Sequence, residues 1–306
     1  MTGTRPAYDN VSAVIVHYRA PDHTVASAKA VAQTAPGAEI VVVDNASGDA
    51  IGDRLRAEVP QARLFVEAKN GGYGAGCNRG ARETSRPLLL FLNSDAVVAP
   101  GAVKALVAAL DAEPAAAAAG PRLVNPDGSL QASIQRLPTP WRIFCESSGL
   151  ASLSGGRGFL RGHTKTREDH ERRGFVPALR GAALLFRRSD FEGVGGFDET
   201  FFLYAEETDL LVRLAARGRG VLYVPEARVT HVGGGSAGDA LFGELHAGLR
   251  HYVEKHHGRM AARAAGVFLF FGAAARWLLA SITPGETGRR RRIRYRAALA
   301  RGTASR

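Results

Sequence analysis

The feature that most constrains the fold is the alternation of short apolar runs with helical segments over the first 113 residues. Four runs have the length and apolar content of buried strands, at residues 11–16, 39–43, 62–67 and 87–92. Helices are predicted at residues 24–33, 51–58 and 101–113, and another from the glycine-rich segment to about residue 84. This order predicts an α/β protein with a mostly parallel, doubly wound sheet and helices on both faces.

The regular alternation ends after residue 113. Further strands are predicted at residues 182–187 and 220–224, and a helix at residues 205–216. The stretch 147–173 is rich in Gly, Ser, Arg and His, which predicts a mobile loop or lid. We therefore predict one domain over residues 1–240, with halves at about 1–115 and 116–240, and a C-terminal region over residues 241–306.

Polar clusters stand where three of the predicted strands end. These clusters are Asp44-Asn45, residues 70–76 and Asn93-Ser94-Asp95. Because Asn, Asp and Gly are the usual turn residues, turn formation explains any single cluster about equally well. Ligands of open α/β sheets bind at the carboxyl ends of the strands, however, so three clusters together favour a ligand site.

The glycine-rich segment helps to exclude some ligands. It reads Asn-Gly-Gly-Tyr-Gly-Ala-Gly and lacks the Gly-Lys-Ser/Thr of a P-loop. The first strand ends in His17-Tyr18-Arg19, without the Gly-x-Gly-x-x-Gly of dinucleotide-binding folds. Nicotinamide chemistry is therefore disfavoured.

Two residues could hold a divalent cation at this edge of the sheet. Asp95 is a hard oxygen ligand at a strand end, and His231 lies just beyond a later predicted strand. An ion that bridges diphosphate oxygens takes few protein carboxylates, so this pair could be sufficient. A structural or solvent-facing role for His231 is the plainer alternative.

The helix predicted at residues 205–216 begins with a cluster of acids. Glu206, Glu207 and Asp209 stand in its first turn, where carboxylates complement the helix dipole. An apolar run precedes them, and carboxylates presented at the end of a buried run are candidates for a general base. Asp209 and Arg213 are spaced i, i+4 and are predicted to form a structural pair.

The net charge is concentrated at the C-terminus. The chain has 306 residues and a formal charge of +11, and residues 250–306 carry 13 basic and 2 acidic side chains. Residues 264–282 are apolar apart from Arg276, and an arginine-rich run follows at residues 289–296. One face of a helix here carries the large apolar side chains Val267, Phe268, Phe271, Leu278, Leu279 and Ile282, and another carries Gly272, Ala273, Arg276 and Ala280. This composition is typical of a helix on an anionic membrane surface, and the alternative is a helix docked on the core with a solvated tail.

The N-terminus and the cysteines bear on the compartment. The first twenty residues carry no basic-then-apolar targeting signal. Only two cysteines occur, Cys77 and Cys145, which excludes a disulfide framework and a cysteine-rich zinc site. We therefore predict a cytoplasmic protein that associates peripherally with the inner face of the cell membrane.

Several blocks of the sequence, taken in order, resemble glycosyltransferase family 2 enzymes with the GT-A fold. The resemblance is strongest to the bacterial rhamnosyltransferase branch and runs from about residue 11 to 238. The blocks that carry it lie at residues 14–18, 42–47, 70–74, 78–80, 90–95, 195–199 and 201–210. Several blocks in family order are far more specific than any one of them alone.

The resemblance implies a role for each block. The donor nucleotide sugar would contact His17, Tyr18, Asp44, Asn45, Asn70, Gly71, Gly72, Gly74, Asn78, Asn93, Ser94 and Asp95. Asp95 would hold Mg²⁺ or Mn²⁺ on the sugar diphosphate, and His231 would complete the metal site. Glu207 falls at the position of the catalytic base, with Glu206 as a competitor. The acceptor side would include Arg180, Gly181 and Asp209.

Two positions depart from the family pattern. Asn93 replaces the first Asp of the Asp-x-Asp motif, as in many rhamnosyltransferase-like members, and removes one negative charge from the metal site. Glu207 replaces the expected Asp and keeps the carboxylate on a side chain that is one methylene longer. The implied reaction is inverting transfer from a dTDP- or UDP-linked sugar, with dTDP-L-rhamnose as the best guess. The implied acceptor is a cell-envelope glycan or a saccharide carried on a polyprenyl diphosphate.

A binding module is the competing hypothesis. It would be a catalytically weak GT-A scaffold that acts at the membrane, or on nucleic acid through its arginines. The basic run lacks interleaved aromatic residues apart from Tyr295, and no nucleic-acid reader motif is present. We therefore predict no nucleic-acid partner, and the sequence leaves the oligomeric state open.

Overall fold

The computed structural model describes residues 8–164, 170–233 and 242–302. The chain forms two compact units. Unit 1 comprises residues 1–133, 170–200 and 207–236, and unit 2 comprises residues 134–169, 201–206 and 237–306. The domain boundary predicted at residue 240 stays a prediction. The compact units follow a different division, in which residues 134–169 belong to the same unit as the C-terminal helices.

The described strands and helices follow the chain in this order. The strands are β1 (Val11–His17), β2 (Glu39–Asp44), β3 (Ala62–Val66), β4 (Leu88–Asn93), β5 (Ala96–Val98), β6 (Ala116–Val124), β7 (Leu130–Gln131), β8 (Ile134–Gln135), β9 (Gly174–Val176), β10 (Ala178–Leu179), β11 (Ala183–Arg187) and β12 (Gly220–His231). The helices are α1 (Pro21–Thr34), α2 (Ile51–Glu58), α3 (Tyr73–Arg82), α4 (Ala102–Ala112), α5 (Pro140–Ser147), α6 (Leu150–Leu153), α7 (Arg188–Gly193), α8 (Glu206–Ala215), α9 (Phe242–His257), α10 (Arg259–Ser281) and α11 (Gly285–Gly302), with a 3₁₀ turn at Gly158–Leu160.

The main sheet of unit 1 has the order β3-β2-β1-β4-β11-β6-β12-β5. The first four of these strands pair in parallel, and β1 is buried along its whole length because helices cover both faces of the sheet. β11 then runs antiparallel to both β4 and β6, while β12 is parallel to β6. The predicted α/β class with a mostly parallel, doubly wound sheet is confirmed, together with the C-terminal helical extension.

The parallel register aligns the polar strand ends along one edge of the sheet. His17 pairs with Asp44 across β1 and β2, and Val16 pairs with Asn93 across β1 and β4. Two of the predicted polar clusters are therefore neighbours in space, as the placement at carboxyl ends of parallel strands requires.

Glycines let α3 approach the sheet closely. A Cβ atom at Gly80 would lie 2.3 Å from Val14 Cγ1, and one at Gly76 would lie 2.8 Å from Val16 Cγ1. Only hydrogen fits at these two positions, so α3 packs directly on β1. This close packing brings the start of the helix, at Gly72 and Tyr73, beside the end of β2, where the Asn45 side-chain amide donates to Gly72 O at 2.9 Å.

The prediction for the last strand was wrong in one respect. The strand expected to end at residue 224 continues to His231, with an irregularity between Val224 and Arg228. The pattern breaks there at Pro225, which cannot donate to a ladder, but pairing with β6 resumes at Arg228. His231 is thus the last residue of β12 and lies opposite Ala96 of β5, instead of in a loop beyond the strand.

Unit 2 contains helices that the sequence analysis did not resolve. The loop predicted at 147–173 carries α6 and the 3₁₀ turn, while residues 165–169 lie outside the described residues. α5 was missed, although Thr139 caps it by accepting from Arg142 N and Pro140 begins it. The arginine run at residues 289–296 lies on α11, which packs with α9 and α10.

Candidate active site

Asp95 and His231 lie together at the carboxyl edge of the sheet. His231 Nε2 is 3.3 Å from Asp95 Oδ1 and 3.3 Å from Asn93 Nδ2. The other Asp95 oxygen, Oδ2, accepts from the backbone N–H of Gly233 at 3.1 Å. Both side chains are more than nine-tenths buried. The fold therefore brings together the two residues that the resemblance assigned to a metal ion.

These two residues fit an octahedral divalent cation. Adjacent ligands of such an ion, each about 2.1 Å away, lie about 3.0 Å apart, close to the separation of Asp95 Oδ1 and His231 Nε2. Within the described residues no cluster of three or more His, Cys, Asp or Glu side chains could hold a metal. A two-ligand site suits an ion that completes its shell with water and diphosphate oxygens.

The ends of β1 and β2 form a second, connected set of polar contacts. His17 is fully buried, with Nδ1 2.7 Å from Thr24 Oγ1 and Nε2 3.1 Å from both carboxylate oxygens of Asp49. Asp44 Oδ1 accepts from Ser47 N at 2.9 Å, which shapes the loop after β2. These contacts hold the loop between β2 and α2 against the end of β1.

The remaining predicted donor residues occupy different surroundings. Asn70 Oδ1 accepts from Gly72 N at 2.9 Å and so shapes the glycine-rich turn that also includes Gly71 and Gly74. Tyr18 is half-buried, with the Arg19 guanidinium over its ring, and Ser94 is buried.

Asn78 is engaged by the turn at residues 195–199. Its amide accepts from Phe197 N and donates to Phe197 O and to Glu199 Oε1, each at 2.9 Å. The side chain thus ties α3 to the turn at residues 195–199. A direct donor contact by Asn78 stays a prediction.

Glu207 lies at the start of α8 against the residues that precede β11. A Cβ atom at Gly181 would lie 3.2 Å from both Cβ and Cγ of Glu207, so a larger residue would press on this side chain and shift it. Burial raises the pKa of the Glu207 carboxyl above its ordinary value, although the Gly181 N–H and the Arg180 charge act in the opposite direction. Glu207 Oε2 is buried and has no hydrogen-bond partner among the described residues. A carboxylate with these properties is suited to accept a proton.

Backbone pairing places Glu207 near the metal candidates. Ala182 follows Gly181 directly, and its carbonyl accepts from Asn93 N at 2.9 Å. β11 continues from this point antiparallel to β4. Gly181, which contacts Glu207, therefore lies beside the strand end that carries Asn93 and Asp95.

Asp209, another acid of α8, has surroundings that differ from those of Glu207. Asp209 is fully buried and accepts from Arg213 Nε at 2.8 Å, while the same guanidinium donates to the carbonyls of Val194 and Gly196. This contact is the structural pair predicted from the i, i+4 spacing, and an acceptor-side role for Asp209 stays a prediction. Glu206 is also buried.

Tyr73 belongs to the block at residues 70–74, but no individual role was predicted for it. Its hydroxyl donates to Gly181 O at 3.4 Å, and its ring meets Phe197 edge-on with centroids 6.2 Å apart. It therefore bridges the glycine-rich segment and the residue against which Glu207 packs. An aromatic residue within a glycine-rich turn was the available signal, since such a turn has few other side chains that could reach a neighbour.

Comparison with known proteins gives consistent results. The family model for glycosyl transferase family 2 matches residues 12–195. The N-acetylglucosaminyl-diphospho-decaprenol L-rhamnosyltransferase of Mycobacterium tuberculosis is 32% identical over 207 residues, which cover 63% of this chain and 66% of that protein. The matched region thus spans slightly less than two thirds of that relative. Rhamnosyltransferase WbbL of Escherichia coli is 43% identical over 51 residues, 17% of this chain and 19% of that protein.

Solved structures support the fold. A mannosyltransferase from Pyrobaculum calidifontis in complex with GDP-Man and Mn²⁺ superposes with a TM-score of 0.59 at 15% identity, covering 98% of this chain and 86% of that one. Residues 1–349 of S. aureus TarS give a TM-score of 0.51 at 14% identity, covering 95% of this chain and 79% of that one. At these identities the likeness concerns the fold alone.

Proposed function

We propose, from the premise that the chain belongs to glycosyl transferase family 2, that it transfers a sugar from a nucleotide-sugar donor to an acceptor hydroxyl with inversion. The observation that carries this proposal is a buried carboxylate oxygen of Glu207, which has no hydrogen-bond partner in the described part of the chain and lies beside the strand end that bears Asp95. A base and a diphosphate-binding edge at one end of a sheet are what such a displacement requires.

Glu207 acts in this mechanism as the general base. Its unpartnered oxygen accepts the proton of the acceptor hydroxyl, whose oxygen attacks the anomeric carbon opposite the leaving diphosphate. Gly181 and Tyr73 keep the base in position, and the loop after β2 positions the nucleotide. Mg²⁺ or Mn²⁺ held by Asp95 and His231 would neutralise the charge that develops on the diphosphate.

A transfer assay tests the proposal directly. Purified protein is incubated with nucleotide sugars and a saccharide acceptor, and the release of nucleoside diphosphate is measured with and without Mn²⁺. We expect release that depends on both the acceptor and the intact Glu207. Donor binding without any release would instead support the binding-module hypothesis.

We further propose that the donor is dTDP-L-rhamnose and that the acceptor is a saccharide carried on a polyprenyl diphosphate. Support comes from the similar protein of Mycobacterium tuberculosis, which is named for L-rhamnosyl transfer to a diphospho-decaprenol-linked sugar. A thermal-shift screen across dTDP- and UDP-linked sugars tests the donor, and we expect dTDP-L-rhamnose to give the largest stabilisation.

A lipid-linked acceptor requires the protein to reach a membrane surface, and unit 2 offers a suitable face. α10 is long and apolar enough to cross a membrane by length and composition. Its small-residue face packs within unit 2, where a Cβ atom at Gly272 would lie 2.6 Å from Ser147 Cβ. Its large apolar side chains are exposed on the opposite face, namely Val267, Phe271, Leu278, Leu279 and Ile282. A helix with one face committed to protein and one exposed apolar face is suited to lie in the membrane surface.

Charge on α11 supports the same conclusion. Arg289, Arg290, Arg291, Arg294 and Arg296 are exposed. Basic residues near an anionic leaflet contribute about 1 kcal/mol each and are screened by salt, whereas apolar insertion is insensitive to salt. We therefore propose peripheral association with an anionic membrane through α10 and α11.

Vesicle flotation across a salt series separates the two contributions. Deletion of residues 285–306 should weaken binding to anionic vesicles most at low salt, and Phe271→Glu with Leu278→Glu should remove the binding that remains at high salt. Gln33→Glu, an exposed change in unit 1, is the control for added negative charge. If full-length protein fails to float at low salt, the membrane proposal is wrong.

A further inference from the structure

A short hairpin next to the metal candidates contains a chain of directed hydrogen bonds that ends at His231. β6 and β7 pair antiparallel around the turn at residues 125–129, and Gln131 is the last residue of β7. Gln131 Oε1 lies 2.7 Å from His231 Nδ1. Its Nε2 lies 3.1 Å from His231 O and 2.9 Å from Asn125 Oδ1.

The orientation of the Gln131 amide is fixed by an atom that can only accept. The backbone carbonyl of His231 cannot donate, so the atom facing it must be the NH₂ group of Gln131. Oε1 of the same amide then faces His231 Nδ1. Because a carbonyl oxygen only accepts, Nδ1 of His231 must carry the proton.

The hydrogen bonds at the Asn125 end independently fix the same orientation of the Gln131 amide. Ser129 Oγ donates to Asp127 Oδ1 at 2.6 Å, so it must accept from Asn125 Nδ2, which lies 2.9 Å away. The hydrogen bonds from Ser129 hold the pKa of Asp127 below its ordinary value, which keeps this carboxylate an acceptor. With Nδ2 of Asn125 facing Ser129, Oδ1 faces Gln131 Nε2, as observed.

We propose that Gln131 is a positioning residue that holds neutral His231 in the Nδ1–H tautomer, so that the unprotonated Nε2 faces Asp95 as a metal ligand. A histidine ligates a metal through the nitrogen that lacks the proton, and the hydrogen bond at the other nitrogen selects the tautomer. His231 Nε2 is the nitrogen 3.3 Å from Asp95 Oδ1. This inference rests on the proposed function for the identity of the ion.

Nitrogen NMR on metal-free protein labelled with ¹⁵N-histidine tests the tautomer without any catalytic reaction. His231 is assigned from the signal that disappears in His231→Gln. We expect Nδ1–H in the wild-type protein and in Gln131→Glu, which keeps an acceptor for Nδ1. Gln131→Leu should shift His231 to the Nε2–H form or to a mixture, while the exposed control Gln33→Leu should change nothing. Thermal melting of each variant verifies that it is folded.

Calorimetric titration of Mn²⁺ in the presence of dTDP tests the consequence. Loss of an outer-shell partner of a ligating histidine typically costs 10–100-fold in metal affinity, and we expect a loss of about that size in Gln131→Leu and a smaller one in Gln131→Glu. Wild-type His231 in the Nε2–H form, or an unchanged tautomer in folded Gln131→Leu, overturns the inference. If the tautomers behave as expected but the wild-type protein binds no Mn²⁺ with dTDP, the control of the tautomer stands and the metal assignment of the proposed function fails.

Discussion

Replacement of Glu207 by glutamine should abolish most of the turnover and leave the fold intact. The amide has the size of the carboxyl group and can still accept from the Gly181 N–H, but it cannot take a proton from the acceptor. A positioned general base contributes about 10²–10⁴-fold, which corresponds to about 2.7–5.4 kcal/mol at 1.36 kcal/mol per decade. We therefore expect kcat to fall by two to four decades while the donor affinity changes little.

The stability of Glu207→Gln provides an independent test of the environment of Glu207. Burial raises the pKa of Glu207 in the folded protein, so the folded state binds this proton more tightly than the unfolded chain does. The group therefore favours the folded state at low pH, and this contribution is lost as the pH rises through the raised pKa. At neutral pH Glu207→Gln should thus be at least as stable as the wild-type protein.

Turnover should change with pH in the direction opposite to the stability contribution of Glu207. The base works only as the carboxylate, so kcat/KM should fall as the pH drops through the raised pKa, at a higher pH than an ordinary glutamate of about 4.3 would give. The assay is release of nucleoside diphosphate in the presence of a saccharide acceptor across a pH series. Glu206→Gln is the matched control, because Glu206 is the adjacent acid on the same helix. A full loss in Glu206→Gln with an active Glu207→Gln would refute the assignment of the base.

Three further substitutions test the surroundings of the site. Gly181→Ala should lower kcat with little change in stability, because the new Cβ atom lies 3.2 Å from the base and must displace it. Gly80→Ala should lower the free energy of unfolding by about 1–3 kcal/mol, measured by urea denaturation. The new Cβ atom would lie 2.3 Å from Val14 Cγ1, and the cost of this overlap outweighs the small gain in helix propensity. A Cβ atom added at Gly174 would have no neighbouring atom within 4 Å, so Gly174→Ala is the control. Asp95→Asn should abolish the increase in melting temperature that Mn²⁺ with dTDP gives the wild-type protein.

The strand ends could be predicted from the sequence because their signal is local. An apolar run followed by Asp44-Asn45 or by Asn93-Ser94-Asp95 marks both the strand and the place where it stops. The relation of His231 to Asp95 has no such local signal. It depends on β12 resuming its pairing after Pro225, and that pairing is decided by β5 and β6 from elsewhere in the chain.

The contribution of Gln131 could not be predicted for a related reason. The sequence marks residues 125–128 as a turn, because Asn-Pro-Asp-Gly is a strong turn former. It does not show that the hairpin folds toward the end of β12, where Gln131, three residues beyond the turn, meets His231. Contacts between residues 100 positions apart are set by sheet order, which local patterns leave open.

Arg276 shows how a residue that counts against a function in the sequence can be consistent with it in the structure. A charge within an apolar helix argues against membrane contact, because a desolvated guanidinium is costly. On α10, however, Arg276 points away from the exposed apolar face and donates to the carbonyls of Glu146 and Ser147 at the end of α5. The last carbonyls of a helix have no partner four residues further along it and carry the negative end of its dipole, so they are suitable acceptors for a cation. The charge therefore stabilises the packing of α10 on α5, and the face that carries Phe271 and Leu278 stays entirely apolar.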